Sequence, residues 1–142
     1  MGHTGVVGTT VGAITAVVLL GLAGLHWTWV RGGHWPAASG RDLVTLITPP
    51  WMPSPTSAQL ALAAGALTVA GFVIGINAAG VDTWITWPAA ALVGTGLALR
   101  GVAGLILSGV WRRDSPFARL DRRAISPLCI ALALGSLAAL PG

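Results

Sequence analysis

The chain has 142 residues, of which 54% are hydrophobic and only 8% are charged, and its mean hydropathy is +0.79. A soluble domain of average composition has roughly one quarter of its residues charged, so this chain lacks the charge to cover a water-facing surface. Its hydrophobicity equally excludes intrinsic disorder, which requires low hydrophobicity and high charge. The composition therefore predicts an integral membrane protein with a single transmembrane domain over residues 1–142.

Four apolar runs have about the length that a helix needs to cross a bilayer, roughly 20 residues. We expect these helices at about residues 9–30, 57–79, 87–110 and 124–140. The fourth run is the shortest and ends at Pro141, which cannot continue a helix. The sequence thus predicts an all-α fold, a bundle of four transmembrane helices.

The arginines predict the orientation of this bundle. Seven of the eight lie in the loops 31–56 and 111–123, and the eighth is Arg100, inside the third apolar run. Basic loops remain on the cytoplasmic side of a membrane. We therefore expect a multi-pass protein of the inner (plasma) membrane, with both loops cytoplasmic and both termini outside.

The loop 31–56 is long and rich in proline. Connections beyond about 12–15 residues are usually functional or disordered, and proline favours a semi-rigid path. The stretch 41–47 looks amphipathic, and Trp35 and Trp51 flank it. We expect this loop, together with 111–123, to form a structured cap in the cytoplasmic interface.

Arg100 lies about ten residues from the predicted cytoplasmic end of the third helix, which is roughly 15 Å of depth at 1.5 Å per residue. An arginine near the centre of a bilayer costs at least about 2.5 kcal/mol, so its side chain should face the bundle. Two interpretations stay open. It extends toward the cytoplasm and holds helix carbonyls or a carboxylate, or it lines a polar cavity and orients a carbonyl or phosphate of a ligand.

Seven tryptophans accompany no tyrosine and two phenylalanines. Tryptophans collect at membrane interfaces, but indole is also the strongest cation–π partner among side chains. A cavity walled by indoles would stabilise a carbocation. His26 is expected to be a hydrogen-bonded interior group, and since two histidines without a third ligand make a poor zinc site, we predict no metal and no cofactor. The candidate substrate-binding residues are His26, Trp27, Trp29, Trp35, Trp84, Trp87 and Arg100.

The four aspartates are the only carboxylic side chains. Asp42, Asp114 and Asp121 each adjoin an arginine, and a neighbouring cation favours the ionised form, so ion pairing or capping explains them. Asp82 has no basic neighbour and lies among tryptophans. If it is buried, it keeps its proton near neutral pH and can donate it, although capping of the third helix explains it equally well. We rank Asp82 first as a catalytic proton donor, followed by Asp121 and Asp42.

Three segments carry a resemblance to known proteins. They are Leu25-His26-Trp27-Thr28-Trp29 with Gly32-Gly33, Leu99-Arg100-Gly101-Val102-Ala103-Gly104, and Phe117-Ala118-Arg119-Leu120-Asp121-Arg122-Arg123 with Ser126-Pro127-Leu128-Cys129. Together they resemble a family of small four-helix bacterial membrane proteins of unknown function, from which the chain departs at Ile125, where an aromatic residue is common. Within such proteins the chain also looks similar to the membrane terpene cyclases of drimentine-type pathways.

The resemblance implies an integral membrane terpene cyclase. Such an enzyme protonates an alkene or epoxide of a prenylated small molecule, for example a farnesylated indole diketopiperazine, and tryptophans would stabilise the resulting carbocations. The expected partners are this hydrophobic substrate and the lipid bilayer, and the basic residues are too few for nucleic acid. The alternative is a non-enzymatic small membrane scaffold or lipid-binding subunit, in which Arg100 clamps two helices and the tryptophans anchor the interface.

Overall fold

The computed structural model describes residues 3–81, 83–110 and 113–140. Within these ranges the chain is helical with no strand, which confirms the all-α prediction. The helices are α1 (His3–Val30), α2 (Gly40–Ile47), α3 (Ser57–Ala78), α4 (Thr86–Val110), α5 (Pro116–Leu120) and α6 (Ser126–Ala138). A π-helical turn, Asp121–Ile125, joins α5 to α6.

Three helices of the described chain are long and apolar enough to cross a membrane, which indicates a membrane protein. They are Gly5–Val30, Ser57–Ala78 and Thr86–Val110. The fourth predicted span corresponds to α6, which has 13 residues and is shorter than the ~20 residues that a perpendicular crossing takes. The count of four spans therefore stays a prediction.

Side-chain caps determine where several helices begin. Thr56 and Gln59 form a reciprocal capping box at the start of α3, in which each side chain bonds the other residue's backbone N–H. Ser39 accepts a hydrogen bond from the backbone N–H of Asp42 at the start of α2, and Ser115 accepts one from Ala118 at the start of α5. These caps turn the loop segments into short, oriented helices.

Small residues bring the long helices together, with α1 against α3 and α4 against α6. A Cβ added to Gly12 would lie 2.8 Å from the Cβ of Ala139 and 3.0 Å from that of Ala78. In lipid, such close approach is a main source of helix association. The start of α1 therefore meets the ends of α3 and α6, and we call this region, with residues 79–81 and 83–85, the turn end.

The opposite end of the bundle, which we call the loop end, consists of residues 31–56 and 113–125, the C-terminal part of α4 and the start of α6. The predicted amphipathic stretch 41–47 forms most of α2, which buries Leu43 and packs against α5. Both arginine-rich loops thus lie at the same end of the molecule. That this end faces the cytoplasm stays a prediction.

Candidate functional site

An ion pair between α4 and the π-helical turn forms the centre of the candidate site. Arg100 Nη2 donates to Asp121 Oδ1 at 2.7 Å, and Ser108 Oγ donates to Asp121 Oδ2 at 2.6 Å. The side chain of Asp121 is 1% exposed and that of Arg100 is 44% exposed. Because both carboxylate oxygens accept short hydrogen bonds, one of them from a cation, Asp121 acts as an acceptor in this arrangement.

The local fold explains how these side chains meet. Arg100 and Ser108 lie on one face of α4, and Asp121 lies at the start of the π-helical turn, 21 residues from Arg100 along the chain. Arg100 therefore extends toward the C-terminal end of α4 and holds a carboxylate. This contact agrees with the first of the two interpretations given above. π-Helical turns are rare and frequently occur at functional sites.

Gly104 lies one helical turn from both Arg100 and Ser108 and makes room for the pair. A Cβ at this position would collide with Arg100 Nη1 and with Ser126 Oγ, and would lie 2.8 Å from Asp121 Oδ2. Ser126 is fully buried, and its hydroxyl has no hydrogen-bond partner among the described residues. Three polar groups from three segments thus converge on the surface of a glycine.

An open cavity of about 400 Å³ lies against this ion pair. Its volume falls in the range of about 300–1,000 Å³ that small-molecule sites occupy. The walls are mostly apolar, and their polar side chains are those of the ion pair and its serine. The lining residues are Ile47, Pro49, Trp51, Met52, Arg100, Ala103, Gly104, Leu107, Ser108, Phe117 and Asp121.

His26 and its neighbours form a separate cluster at the end of α1. His26 Nδ1 is 2.8 Å from the carbonyl oxygen of Leu22, and its ring centroid is 4.6 Å from that of Trp29. Trp27 Nε1 donates to Thr68 Oγ1 at 3.3 Å, and Trp29 Nε1 donates to the carbonyl oxygen of Trp35 at 2.8 Å. These indoles tie α1 to α3 and to the loop, and they do not line the cavity.

The remaining predicted tryptophans lie on the outside of the bundle. Trp35 is 72% exposed, Trp84 is 86% exposed, and Trp87 is 48% exposed. Trp84 and Trp87 lie at the turn end, whereas the cavity is at the loop end. The structure therefore does not bring the predicted indoles together with Arg100 around one cavity.

The three predicted proton donors have different positions. Asp121 lines the cavity. Asp42 is exposed at the start of α2, where its Oδ2 accepts a hydrogen bond from Ser39 Oγ at 2.7 Å, and it is not part of the cavity wall. Asp82 lies outside the described residues. At the start of α4, the hydroxyl of Thr83 accepts a hydrogen bond from the backbone N–H of Thr86 at 3.1 Å, so a threonine caps this helix.

Sequence reasoning missed several residues of the site: Gly104, Ser108, Trp51, Phe117 and Ser126. One signal was available for two of them. Arg100, Gly104 and Ser108 recur every four residues along α4, which places a cation, a gap and a hydroxyl on one helix face. Trp51 lies in the loop 31–56, Phe117 in α5 and Ser126 at the start of α6. No sequence period connects these residues to Arg100.

The fold defines a class, namely a small helical membrane protein with a polar site at one end of its bundle. Residues 19–136 match the family model described as "Protein of unknown function (DUF3995)", and the chain belongs to this family. No curated protein and no solved structure matches the chain. The family has no assigned activity, so the resemblance to terpene cyclases stays a prediction.

Proposed function

We propose that the protein binds an amphipathic small molecule of prenyl type in the cavity at the loop end. The observation that carries this proposal is the asymmetry of the cavity wall. Apolar side chains from the loop, from α4 and from α5 surround a single polar edge, formed by Arg100, Ser108 and Asp121. Such a wall suits a ligand with a long apolar part and one polar end.

The energetics favour such a ligand. Each methylene group that enters an apolar wall contributes about 0.8 kcal/mol relative to water, and prenyl chains partition into a bilayer, the environment that the apolar helices indicate for this protein. A guanidinium has five N–H donors, and one Arg100 nitrogen is engaged with Asp121. The others remain for an oxygen of the ligand, and Asp121 holds the guanidinium in place.

The cavity itself provides the test of binding. Leu107 lines it, and Leu107→Trp narrows it, whereas Leu99→Trp on the same helix adds the same bulk at an exposed position outside the cavity. We expect radiolabelled farnesol to bind the purified protein in nanodiscs saturably, about tenfold more weakly after Leu107→Trp and unchanged after Leu99→Trp. Equal binding to all three proteins, or binding no greater than that to empty nanodiscs, would refute the proposal.

The proposal includes the membrane topology. We propose that α6, with the π-helical turn, is the fourth crossing, that the loop end is cytoplasmic, and that both termini are outside. The supporting observation is that α2 and α5, which carry arginines, pack together at one end.

Cysteine labelling tests this orientation. After Cys129→Ser removes the single native cysteine, Ser54→Cys probes the loop end and Thr83→Cys probes the turn end. A membrane-impermeant maleimide should label Thr83→Cys in intact cells and Ser54→Cys only after lysis. The reverse pattern would show that the orientation is wrong.

Cyclisation of the bound molecule is a second candidate function. The observation that favours it is the buried Asp121 carboxylate in the wall of an apolar cavity that also contains Trp51 and Phe117. In such a reaction an acid adds a proton to an alkene, a ring bond forms from the next alkene, and the final cation loses a proton. Because Asp121 already accepts two hydrogen bonds, its role would be to receive that last proton. Asp82 and Asp42 stay candidates for the first donor.

The two candidates differ in what happens to the ligand. Membranes that contain the protein, incubated with farnesylated indole diketopiperazines, should yield isomers of unchanged mass if the protein is a cyclase. Asp121→Asn should then lower the yield, and so should one of Asp82→Asn and Asp42→Asn, which identifies the first donor. Binding without isomerisation identifies a lipid-binding subunit. If the protein neither binds nor isomerises these molecules, the non-enzymatic membrane scaffold is the remaining candidate function.

A further inference from the structure

The ion pair presents a donor and an acceptor at the same point of the cavity wall. Arg100 Nη1 and Asp121 Oδ2 both lie against the surface of Gly104, which belongs to the wall. Within the described residues, Nη1 donates to no acceptor, while Nη2 is engaged with Asp121 Oδ1. Because Asp121 lines the cavity together with Arg100, a ligand oxygen bound by Nη1 from the cavity lies close to the Asp121 carboxylate.

This juxtaposition discriminates between the polar groups that a ligand can carry. A carboxylate or phosphate would gain the attraction of Arg100 but suffer the repulsion of the Asp121 carboxylate a few ångströms away. An ether or ester oxygen would accept from Arg100 and offer nothing to Asp121. A hydroxyl accepts from the guanidinium and donates to the carboxylate, and both of these hydrogen bonds are charge-assisted and strong.

The other charged group nearby does not change this balance. Arg122 Nη1 donates to the backbone carbonyl of Ser108 at 3.2 Å, and its side chain is not part of the cavity wall. Among the described residues, the wall therefore contains one positive and one negative charge, which neutralise each other.

The hydroxyl of Ser126, which is unpaired within the described residues, is a second, independent observation at this point. Its hydroxyl is completely buried, lies against Gly104 beside Arg100 and Asp121, and has no hydrogen-bond partner among the described residues. A buried hydroxyl that lacks a partner is unfavourable and uncommon in native proteins. The Ser126 hydroxyl is thus a third polar group beside Arg100 and Asp121.

We infer that the polar end of the ligand is a neutral hydroxyl group, bound by Arg100 and Asp121 where they line the cavity. This inference rests on the proposed binding of an amphipathic molecule in the cavity and specifies the chemical class of that molecule. The ligand is a prenyl-type alcohol or a molecule with a hydroxyl at the corresponding position. Phosphorylated and carboxylated counterparts of the same chain are discriminated against by Asp121.

A series of probes with one chain and four polar ends tests the inference. The wild-type protein in nanodiscs is titrated with farnesol, its methyl ether, farnesyl phosphate and the hydrocarbon farnesene, with empty nanodiscs as the reference for partitioning. We expect farnesol to bind about tenfold more tightly than the ether and the phosphate, the loss that one charge-assisted hydrogen bond brings. Asp121→Asn should reduce the preference for farnesol over the phosphate, and Asp114→Asn, at an exposed carboxylate outside the cavity wall, should not.

The outcomes separate the inference from the proposed function. If the ether binds as tightly as farnesol, or the phosphate binds more tightly, the hydroxyl inference is wrong while binding in the cavity stands. If none of the four probes exceeds partitioning into empty nanodiscs, the proposed binding function itself is wrong. The wild-type series alone decides these points, so the test does not depend on the folding of Asp121→Asn.

Discussion

A glycine lies at a close helix contact at each end of this bundle, but the groups that surround the two glycines differ in chemistry. At the turn end, Gly12 meets the methyl groups of Ala78 and Ala139, and Asn77 Nδ2 donates to the carbonyl oxygens of Val73 and Thr86 at 2.9 Å each. These contacts hold the helices close together at this end.

At the loop end, Gly104 meets a guanidinium, a carboxylate and a hydroxyl instead of methyl groups. A partly buried ion pair contributes little net stability, since the loss of hydration offsets much of the attraction. Apolar packing of the kind seen at the turn end would stabilise the bundle more simply. Under the proposed function, the loop end serves binding and the turn end serves stability, and the following predictions test this comparison.

The largest effect should come from removing the carboxylate of the ion pair. Asp121→Asn leaves Arg100 without its counter-charge. The loss of one partner from a fully buried pair costs about 3–5 kcal/mol, and because Arg100 is 44% exposed we expect about 2–3 kcal/mol. Unfolding of the detergent-solubilised protein by a denaturing detergent measures this loss. Asp42→Asn, at an exposed carboxylate, should change stability by less than about 1 kcal/mol, and equal effects of the two variants would contradict the account.

The two glycine contacts give the next largest effects and compare the ends directly. Gly12→Ala and Gly104→Ala each insert a methyl group into a filled contact, which should cost about 1–3 kcal/mol. Only Gly104→Ala should also weaken farnesol binding, because the methyl group displaces Arg100 and Asp121. Thermal unfolding followed by circular dichroism, together with the binding assay, separates the two.

Gly96→Ala is the matched control for both glycine variants. It lies on α4, where a Cβ would meet nothing within 4 Å. Since alanine favours a helix over glycine by up to about 1 kcal/mol, this variant should be neutral or stabilising. A loss of binding in Gly12→Ala as large as that in Gly104→Ala would show that the two ends are not functionally distinct.

A smaller effect distinguishes two buried serines at the loop end. Ser108→Ala removes the hydrogen bond to Asp121 and should cost about 1–2 kcal/mol. Ser126→Ala removes a hydroxyl that has no partner among the described residues and should leave the stability of the ligand-free protein unchanged within about 0.5 kcal/mol. Unfolding midpoints in detergent measure both, and the opposite ranking would mean that Ser126 belongs to the hydrogen-bond network of the ligand-free protein.

The long helices were predictable because their signal is local. The apolar run predicted at 57–79 is observed as Ser57–Ala78, and the capping box of Thr56 and Gln59 determines where it begins. The amphipathic stretch 41–47 was recognisable from its own residues and forms α2. Each of these elements depends on neighbours in sequence, so composition and period were sufficient.

The site was not predictable to the same degree because its geometry depends on distant segments. Asp121 adjoins Arg122 in sequence, which suggested a local ion pair, but the π-helical turn directs its carboxylate to Arg100. Trp84 stands out in the sequence and yet is 86% exposed, as membrane-interface anchors are. Trp51, from the non-periodic proline-rich loop, is the tryptophan that lines the cavity.

Photolabelling tests the central claim most directly, that an amphipathic ligand binds at the loop end. A farnesol analogue with a diazirine on its prenyl chain is irradiated with the protein in nanodiscs, and the labelled residues are identified by mass spectrometry. The account predicts labels on cavity residues such as Met52, Leu107 and Phe117, suppressed by excess farnesol. Labels confined to exposed residues such as Leu62 and Val69 of α3, unaffected by farnesol, would contradict it.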